Sequence, residues 1–264
     1  MAITMVYDLE TVPDVVAGRR LLALPQETTD AEVAEALSAR RAQQTQGAST
    51  FLPHYLQQIV GISVVVATPD WVKVWSLGDL DATESQIIFR FFEGIQKYTP
   101  TLVSWNGSGF DLPVLHYRSL LHGVAAPRYW ENGEQDNNFK WNNYLSRYHQ
   151  RHLDLMDVLS AYQSRAYAPL DELAVLLGFP GKMGMHGSEV WETYQAGGLE
   201  RIRNYCETDV LNTYLIYLRF QQIRGQIDTS ERILAEEHLK AHLFSTGKPH
   251  LLAFLETWEK ALIK

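Results

Sequence analysis

Val60-Gly61-Ile62-Ser63-Val64-Val65-Val66-Ala67 and Val72-Lys73-Val74-Trp75 are two apolar, β-branched runs, separated by a turn built on Thr68-Pro69-Asp70. Runs of this composition bounded by Pro and Asp read as strands, and so short a connection folds the second back along the first, so the pair is expected to be antiparallel. Upstream, Ile3 to Tyr7 reads as a short buried strand that delivers Asp8 and Glu10 at its end, with Thr11-Val12-Pro13 terminating it. Between that strand and the hairpin, Thr28 to Gly47 is rich in Ala and Gln and contains Thr29-x-x-Glu32, the pattern of a capping box. It reads as a helical insertion with a flexible end.

Downstream the period changes. Ile87, Ile88, Phe91, Phe92 and Ile95 recur at helical spacing between Glu84 and Tyr98, and Thr101 to Trp105 reads as a fourth strand ended by Asn106-Gly107. Leu112 to Leu121 is expected to be a helix, with Asp111 as N-cap and Pro113 tolerated in the first turn. A polar, aromatic stretch from Glu131 to Tyr148 precedes His152 to Leu155, the fifth strand. Helices are expected over Leu170 to Leu177, Glu189 to Gln195 and Leu199 to Arg224. Two terminal helices follow, one opened by Asp228-x-x-Glu231 and one near Pro249. Three early strands, then helix, strand, helix, strand and helices, predict an α/β fold of ribonuclease-H-like type: a mixed five-stranded sheet flanked by helices, with additional C-terminal helices. Residues 1–224 are expected to form one domain, and residues 225–264 a helical extension packed on it. The antiparallel opening argues against the fully parallel dinucleotide-binding sheet, in which a helix separates every strand.

At 264 residues, 46% of them hydrophobic, the chain is long enough to bury a core of its own. A single cysteine forms no internal disulfide, and neither a leader pattern nor an apolar run of membrane-spanning length stands out, so a reducing cytoplasm is the expected location and no membrane is expected among the partners. The formal net charge of -8 argues against a broad electrostatic grip on nucleic acid, whose affinity for proteins comes largely from Lys and Arg. An enzyme holding only a strand end beside bound cations is less constrained. Weak, salt-sensitive binding is expected.

Asp8 and Glu10 are two apart on a strand, so both carboxylates share a face and repel unless a dication compensates them; solvated acids at a strand end are the alternative. Asp111 reads first as a helix cap, a role compatible with metal binding, and Asn106 with its neighbouring glycines leaves space for a nucleotide to approach the backbone. Gly107-Ser108-Gly109 is no dinucleotide loop: Leu112 stands where the last glycine should be, and Asp111 would repel a pyrophosphate. Tyr205 and Asp209 are four apart and share a helix face, where a tyrosine hydroxyl could hold a water beside a metal; a packing Tyr and an exposed Asp are the alternative. Glu207 points away from that face and is expected to be solvated.

The ordered set Asp8-x-Glu10, Asn106-x-x-x-Phe110-Asp111 and Tyr205-x-x-x-Asp209 resembles the three exonuclease motifs of the DnaQ-like superfamily in its tyrosine-containing DEDDy branch. Within that branch the chain is similar to the predicted 3'-5' exonucleases related to the exonuclease domain of family B DNA polymerases, from residue 1 to about 224. The resemblance implies two divalent cations, Mg2+ or Mn2+, with Asp8 bridging both, Glu10 and Asp209 completing the site of the nucleophilic water, and Asp111 helping to hold the second. Tyr205 would orient the water, and Asn106 and Phe110 would shape the pocket for the terminal nucleotide, although Phe110 reads equally well as core. The implied substrate is a single-stranded nucleic acid 3' end, DNA rather than RNA, with a nucleoside 5'-monophosphate as product. An exoribonuclease, a non-catalytic nucleic-acid-binding module and a two-metal phosphatase are the alternatives. No polymerase domain follows, so coupling to synthesis within this chain is not expected; a polymerase or repair partner is compatible with the reading.

Other candidates are weighed beside these. Lys182, in a glycine-rich segment, could contact a phosphate. Asp154 and Asp157 read as structural groups. His238 and His242 have the spacing of zinc ligands but no third partner, and Cys206 reads as a small packing residue. Trp105, Tyr129, Trp130 and Trp141 could stack on unpaired bases.

Overall fold

The computed structural model describes residues 3–261 and has the expected α/β architecture, a five-stranded mixed sheet with eleven helices. The strand order is β3-β2-β1-β4-β5, formed by β1 (Thr4–Pro13), β2 (Gln57–Ala67), β3 (Val72–Ser76), β4 (Thr101–Ser104) and β5 (His152–Asp154). β1, β2 and β3 pair antiparallel, while β4 and β5 continue the sheet in parallel. The hairpin read from Val60 to Trp75 is therefore real, and so is the mixed sheet. This arrangement is consistent with a ribonuclease-H-like fold.

Period-two alternation sends successive strand residues to two separate cores. Val6, Val65, Val103 and Leu153 face a core completed by α7 (Leu170–Leu176), α9 (Leu199–Ile223), α10 (Thr229–Thr246) and α11 (Pro249–Ala261). Met5, Tyr7, Val64, Val66 and Leu102 face the other, completed by α3 (Glu84–Tyr98) and α4 (Asp111–His122). The even-numbered side chains of β1, Asp8 and Glu10 among them, thus share the side on which α9 packs.

β1 departs from the short strand expected. It pairs with β4 only over Thr4 to Val6, but continues against β2 as far as Pro13, through a register shift between Glu10 and Thr11. Thr11-Val12-Pro13 therefore does not end the strand. The extra residue at the shift, Val60 of β2, bends the pair without ending its ladder, and Pro13 is tolerated because β1 has no strand on its other side there. Beyond Val6 the β4 side of β1 is free, leaving room beside Asp8 and Glu10.

Three short helices were not foreseen, the smallest of them Pro127–Trp130. α1 (Val15–Leu21) buries only Gly18, too little for an apolar period to show. α6 (Leu155–Leu159) begins where the fifth strand was expected to continue, because the Asp154 side chain accepts from the Met156 and Asp157 amides and starts a helix there. α2 (Asp30–Gln44) starts at the Thr29/Glu32 capping box as read, and packs Val33 and Leu37 with Leu52 and Leu56 in a small separate core. α5 (Pro127–Trp130) and α8 (Val190–Gln195) are short connectors.

The C-terminal helices are part of the main packing. Leu239, Leu243, Leu251, Phe254 and Trp258 are buried in the same core as α9. The Val74 amide on edge strand β3 donates to His242 Nε2 at 3.1 Å, which covers an otherwise open edge donor. His242 is thus occupied by the sheet, and the zinc alternative for His238 and His242 falls away. Among the described residues no helix is long and apolar enough to cross a membrane.

Candidate active site

Three elements converge where β1 runs free of β4: β1 itself, the β4–α4 loop and the first half of α9. Ligand atoms of Asp8, Glu10 and Cys206 lie within 4.8 Å of one another, and among the described residues this is the group able to hold a metal ion. The Cys206 thiol donates to the Asp8 carbonyl at 3.4 Å and to Asp8 Oδ2 at 3.5 Å. Burial followed by the charges of Asp8 and Glu10 pushes that thiol far up, so it remains a packed, protonated donor, as expected.

The remaining two acids join through their fields. Burial, then Asp111, Glu10 and Asp209, raise the Asp8 carboxyl well above the carboxylate range. Burial, then Asp209 and Asp111, do the same to Glu10, with Lys182 opposing. Asp111 is 4% exposed, its Oδ1 is buried without a hydrogen-bond partner, and burial pushes its carboxyl up to about 7. Burial raises Asp209 to about 6 against the opposing pull of the Tyr205 hydroxyl and Lys182. None of the four enters an ion pair among the described residues, whereas Asp14, Glu84, Asp157 and Glu207 all do.

Tyr205 is buried on α9 and its hydroxyl is held protonated by burial and by the negative field of Asp209 and Glu10. Lys182 Nζ lies 6.0 Å from the centre of the Tyr205 ring. The glycine-rich segment therefore brings a positive charge to the acids.

The β4–α4 loop corrects two readings. Asp111 is the first residue of α4, and the cap position belongs to Phe110, which makes no side-chain capping bond. The Asp111 carboxylate is turned into the acid cluster instead. The loop glycines serve the loop's own packing. A Cβ on Gly107 would lie 2.2 Å from Ser104 Oγ, and one on Gly109 would lie 2.4 Å from Asn106 Oδ1. Asn106 takes a left-handed φ of 62°, held there as its amide and that of Ser108 donate to Asp154 at 2.9 and 2.8 Å. Asp154 thereby ties the loop to the start of α6, while Asp157 pairs with Arg147 and Tyr167, so both are structural as read.

Glu207 is the clearest reversal. It is 2% exposed, accepts from the Ser76 amide and hydroxyl at 2.9 Å, and meets Lys248 Nζ at 3.2 Å and His250 Nε2 at 2.7 Å. A single-helix projection leaves that side of α9 to water; β3 and α11 cover it. Tyr129 is likewise buried, with its hydroxyl 2.9 Å from His116 Nε2, and offers no face to a base. Trp105 packs partly against the core. Trp130 and Trp141 are exposed, and Trp130 lines a cleft of about 570 Å3 with Asn106, Ser108, Gly109, Arg147 and Tyr167. On the other side of the loop stands an aromatic group passed over in the sequence: Phe51 and His54 pack on Phe110 at ring distances of 5.6 and 5.7 Å. The run Phe51-Leu52-Pro53-His54-Tyr55 was its visible signal.

A family model described as "Predicted 3'-5' exonuclease related to the exonuclease domain of PolB" matches residues 49–258. The match includes Asn106, Phe110, Asp111, Lys182, Tyr205 and Asp209, begins after Asp8 and Glu10, and runs through most of α11 rather than stopping near residue 224. The chain is 25% identical over 158 residues to a DNA polymerase of Archaeoglobus fulgidus, covering 59% of this chain and 19% of that protein. It is 26% identical over 145 residues to the catalytic subunit of Saccharomyces cerevisiae DNA polymerase epsilon, covering 52% of this chain and 6% of that one. The aligned part is a small fraction of either polymerase.

Proposed function

The chain belongs to the family of predicted 3'-5' exonucleases related to the exonuclease domain of PolB, and from that premise we propose that it hydrolyses the terminal phosphodiester at the 3' end of a single-stranded nucleic acid, DNA in preference to RNA, releasing nucleoside 5'-monophosphates. The observation that carries this reading is the gathering of Asp8, Glu10, Asp111 and Asp209 around one site, each raised by burial and none in an ion pair among the described residues. Four such acids are costly to a protein that has no cations to place among them. The orphaned Asp111 Oδ1 is a second unmet demand for a positive partner.

Hard carboxylate oxygens from separate elements fit two divalent cations, Mg2+ or Mn2+. Asp8, Glu10, Asp111 and Asp209 would be the residues that hold them. When bound, such ions make water a nucleophile at neutral pH and stabilise the leaving 3'-oxygen. Tyr205, protonated beside Asp209, orients the attacking water through its hydroxyl. Lys182 offsets the negative field and offers a phosphate contact, and Asn106 and Phe110 hold the terminal nucleotide against the loop that Asp154 fixes.

Product release from 3'-labelled single-stranded DNA and its RNA equivalent, with Mg2+ or Mn2+ and with EDTA, tests the reading. Metal-dependent mononucleotide release, faster from DNA and stopped by EDTA, is the expected result; no release from either polymer sinks it. Tyr205→Phe is expected to lower kcat by about ten- to a hundredfold, the range for groups that orient a metal site's ligands. Its stability should change by no more than about 1 kcal/mol, because one hydroxyl is lost. Rates and melting curves of the same preparation separate the two effects.

A further inference from the structure

We propose that Phe51, His54, Tyr55 and Tyr117, starting against Phe110, form a stacking platform for the unpaired bases that lie 5' of the terminal nucleotide. The inference rests on the exonuclease reading and deepens it, by identifying what the enzyme grips beyond the scissile bond.

The platform adjoins the acid cluster directly. Phe110 precedes Asp111, and its ring meets Phe51 at 5.6 Å with an interplanar angle of 54°, and His54 at 5.7 Å and 52°. Further along α4, Tyr117 meets Tyr55 edge-on at 6.1 Å. The rings thus fall into two groups, one at the start of α4 and one near its middle.

His54 and Phe110 are half-buried, and the outer rings are exposed yet rigidly mounted. Phe51, Tyr55 and Tyr117 are 58%, 49% and 49% exposed. Between them Leu52 and Leu56 are buried in the small core under α2, so the segment is anchored at intervals. The Phe51 amide donates to Ser49 Oγ, Arg41 Nε donates to the Phe51 carbonyl, Gln57 Nε2 donates to the Leu52 carbonyl, and His54 Nε2 lies 3.0 Å from the Gly109 carbonyl. A surface built only for solubility has no reason to order and expose three large aromatic residues. Aromatic faces held still are what single-stranded nucleic acid uses, because every base has a π-face and stacks without sequence preference. The net charge of -8 strengthens the case: with little electrostatic grip available, stacking must carry more of the affinity.

The test is fluorescence anisotropy with 5'-labelled oligothymidylates of two, four and eight nucleotides in EDTA, so that binding is read without turnover. Affinity of the unaltered protein is expected to rise with length. Phe51→Ala and Tyr55→Ala are each expected to weaken the octamer by about tenfold or more, the loss of one base–aromatic stack, and to flatten the length dependence. Phe51→Trp should restore binding, which a merely structural role for the ring would not give. Oligoadenylate should behave alike, and a blunt duplex should not compete, since paired bases present no free face.

Wild-type affinity in both alanine variants, no length dependence in the unaltered protein, or equal competition by duplex overturns the platform. So does a concentration-dependent dimer in sedimentation that Phe51→Ala abolishes, because the rings would then belong to a second copy. Failure of the hydrolytic reading is judged separately by product release: release with unaltered binding in the variants removes the platform alone, and length-dependent stacking without release removes the hydrolytic reading alone.

Discussion

Asp8→Asn is expected to slow release of 3'-terminal nucleotides by about a thousandfold or more and, without metal, to raise the melting temperature. The rate loss follows from the proposed role of Asp8 as a metal-holding carboxylate: stabilisation of transition-state charge by bound metal is worth several kcal/mol, and about 1.4 kcal/mol is tenfold in rate. The gain in stability follows from the metal-free site, where burial and then the charges of Asp111, Glu10 and Asp209 raise the Asp8 carboxyl well above the carboxylate range. Asn keeps the shape and an acceptor for the Cys206 thiol and removes the cost of holding a carboxyl where burial and its acidic neighbours disfavour its charge. The relief is on the order of 1–3 kcal/mol for groups this close at an effective dielectric of about 20, a shift of several degrees in a chain of this size.

The sign of the pH dependence distinguishes this cause from others. A carboxyl whose folded value lies above its unfolded value leaves the native state holding more protons, so stability falls as pH rises through the interval between the two. With Asp111 raised to about 7 and Asp209 to about 6, that interval runs from the ordinary carboxylate range up to about 7. The metal-free protein should therefore lose stability as pH rises through this window, and Asp8→Asn should lose less. Melting curves in EDTA across that range measure both slopes. Full turnover in purified Asp8→Asn would sink the proposed mechanism, and a lower melting temperature at alkaline pH would show that repulsion is not what Asp8 contributes.

The sheet and most helices were legible because their signals are local: a β-branched run with a Pro-Asp turn, a capping box at Thr29, and an apolar period through Ile87 to Ile95. The unforeseen elements are those whose causes lie elsewhere in the chain. β1 runs on to Pro13 because β2 offers it partners across a register shift, and α1 exists with little apolar face of its own. At the candidate site, spacing put Asp8 and Glu10 on one face and Tyr205 and Asp209 on another, but their meeting depends on α9 packing across β1. Asp111 was read as a cap because Asp-Leu-Pro is a local helix signal; its buried, unpartnered Oδ1 belongs to the assembled site. Gly107 and Gly109 looked like space for a ligand, and only the fold shows Ser104 and Asn106 filling it. The aromatic residues around Phe110 were missed for the same reason: Phe51 and Phe110, far apart in the chain, meet only after β2 and α4 are placed.

Glu207→Ala is expected to destabilise the protein by about 2–4 kcal/mol, near the lower part of the range for breaking a buried ion pair, because Lys248 is half exposed and can regain water. The loss leaves the Ser76 amide without its carboxylate and uncouples α11 from α9 and β3, the three elements that Glu207 joins. Burial by itself would raise this carboxyl, but the His250 hydrogen bond, the Lys248 charge and the Ser76 hydroxyl outweigh it and hold the group below the usual carboxylate range. A depressed carboxyl stabilises the fold above its unfolded value and ceases to do so as pH falls through its folded value. The melting-temperature gap between unaltered protein and Glu207→Gln should therefore be constant near neutral pH and close in acid. Turnover well below the transition should stay within about threefold of the unaltered rate, because α9 is also packed along β1 and β2 and keeps Tyr205 and Asp209 in place when one brace is cut. An unchanged melting temperature would show that α11 docks through Leu251, Phe254 and Trp258 alone, and that the buried charge adds nothing to it.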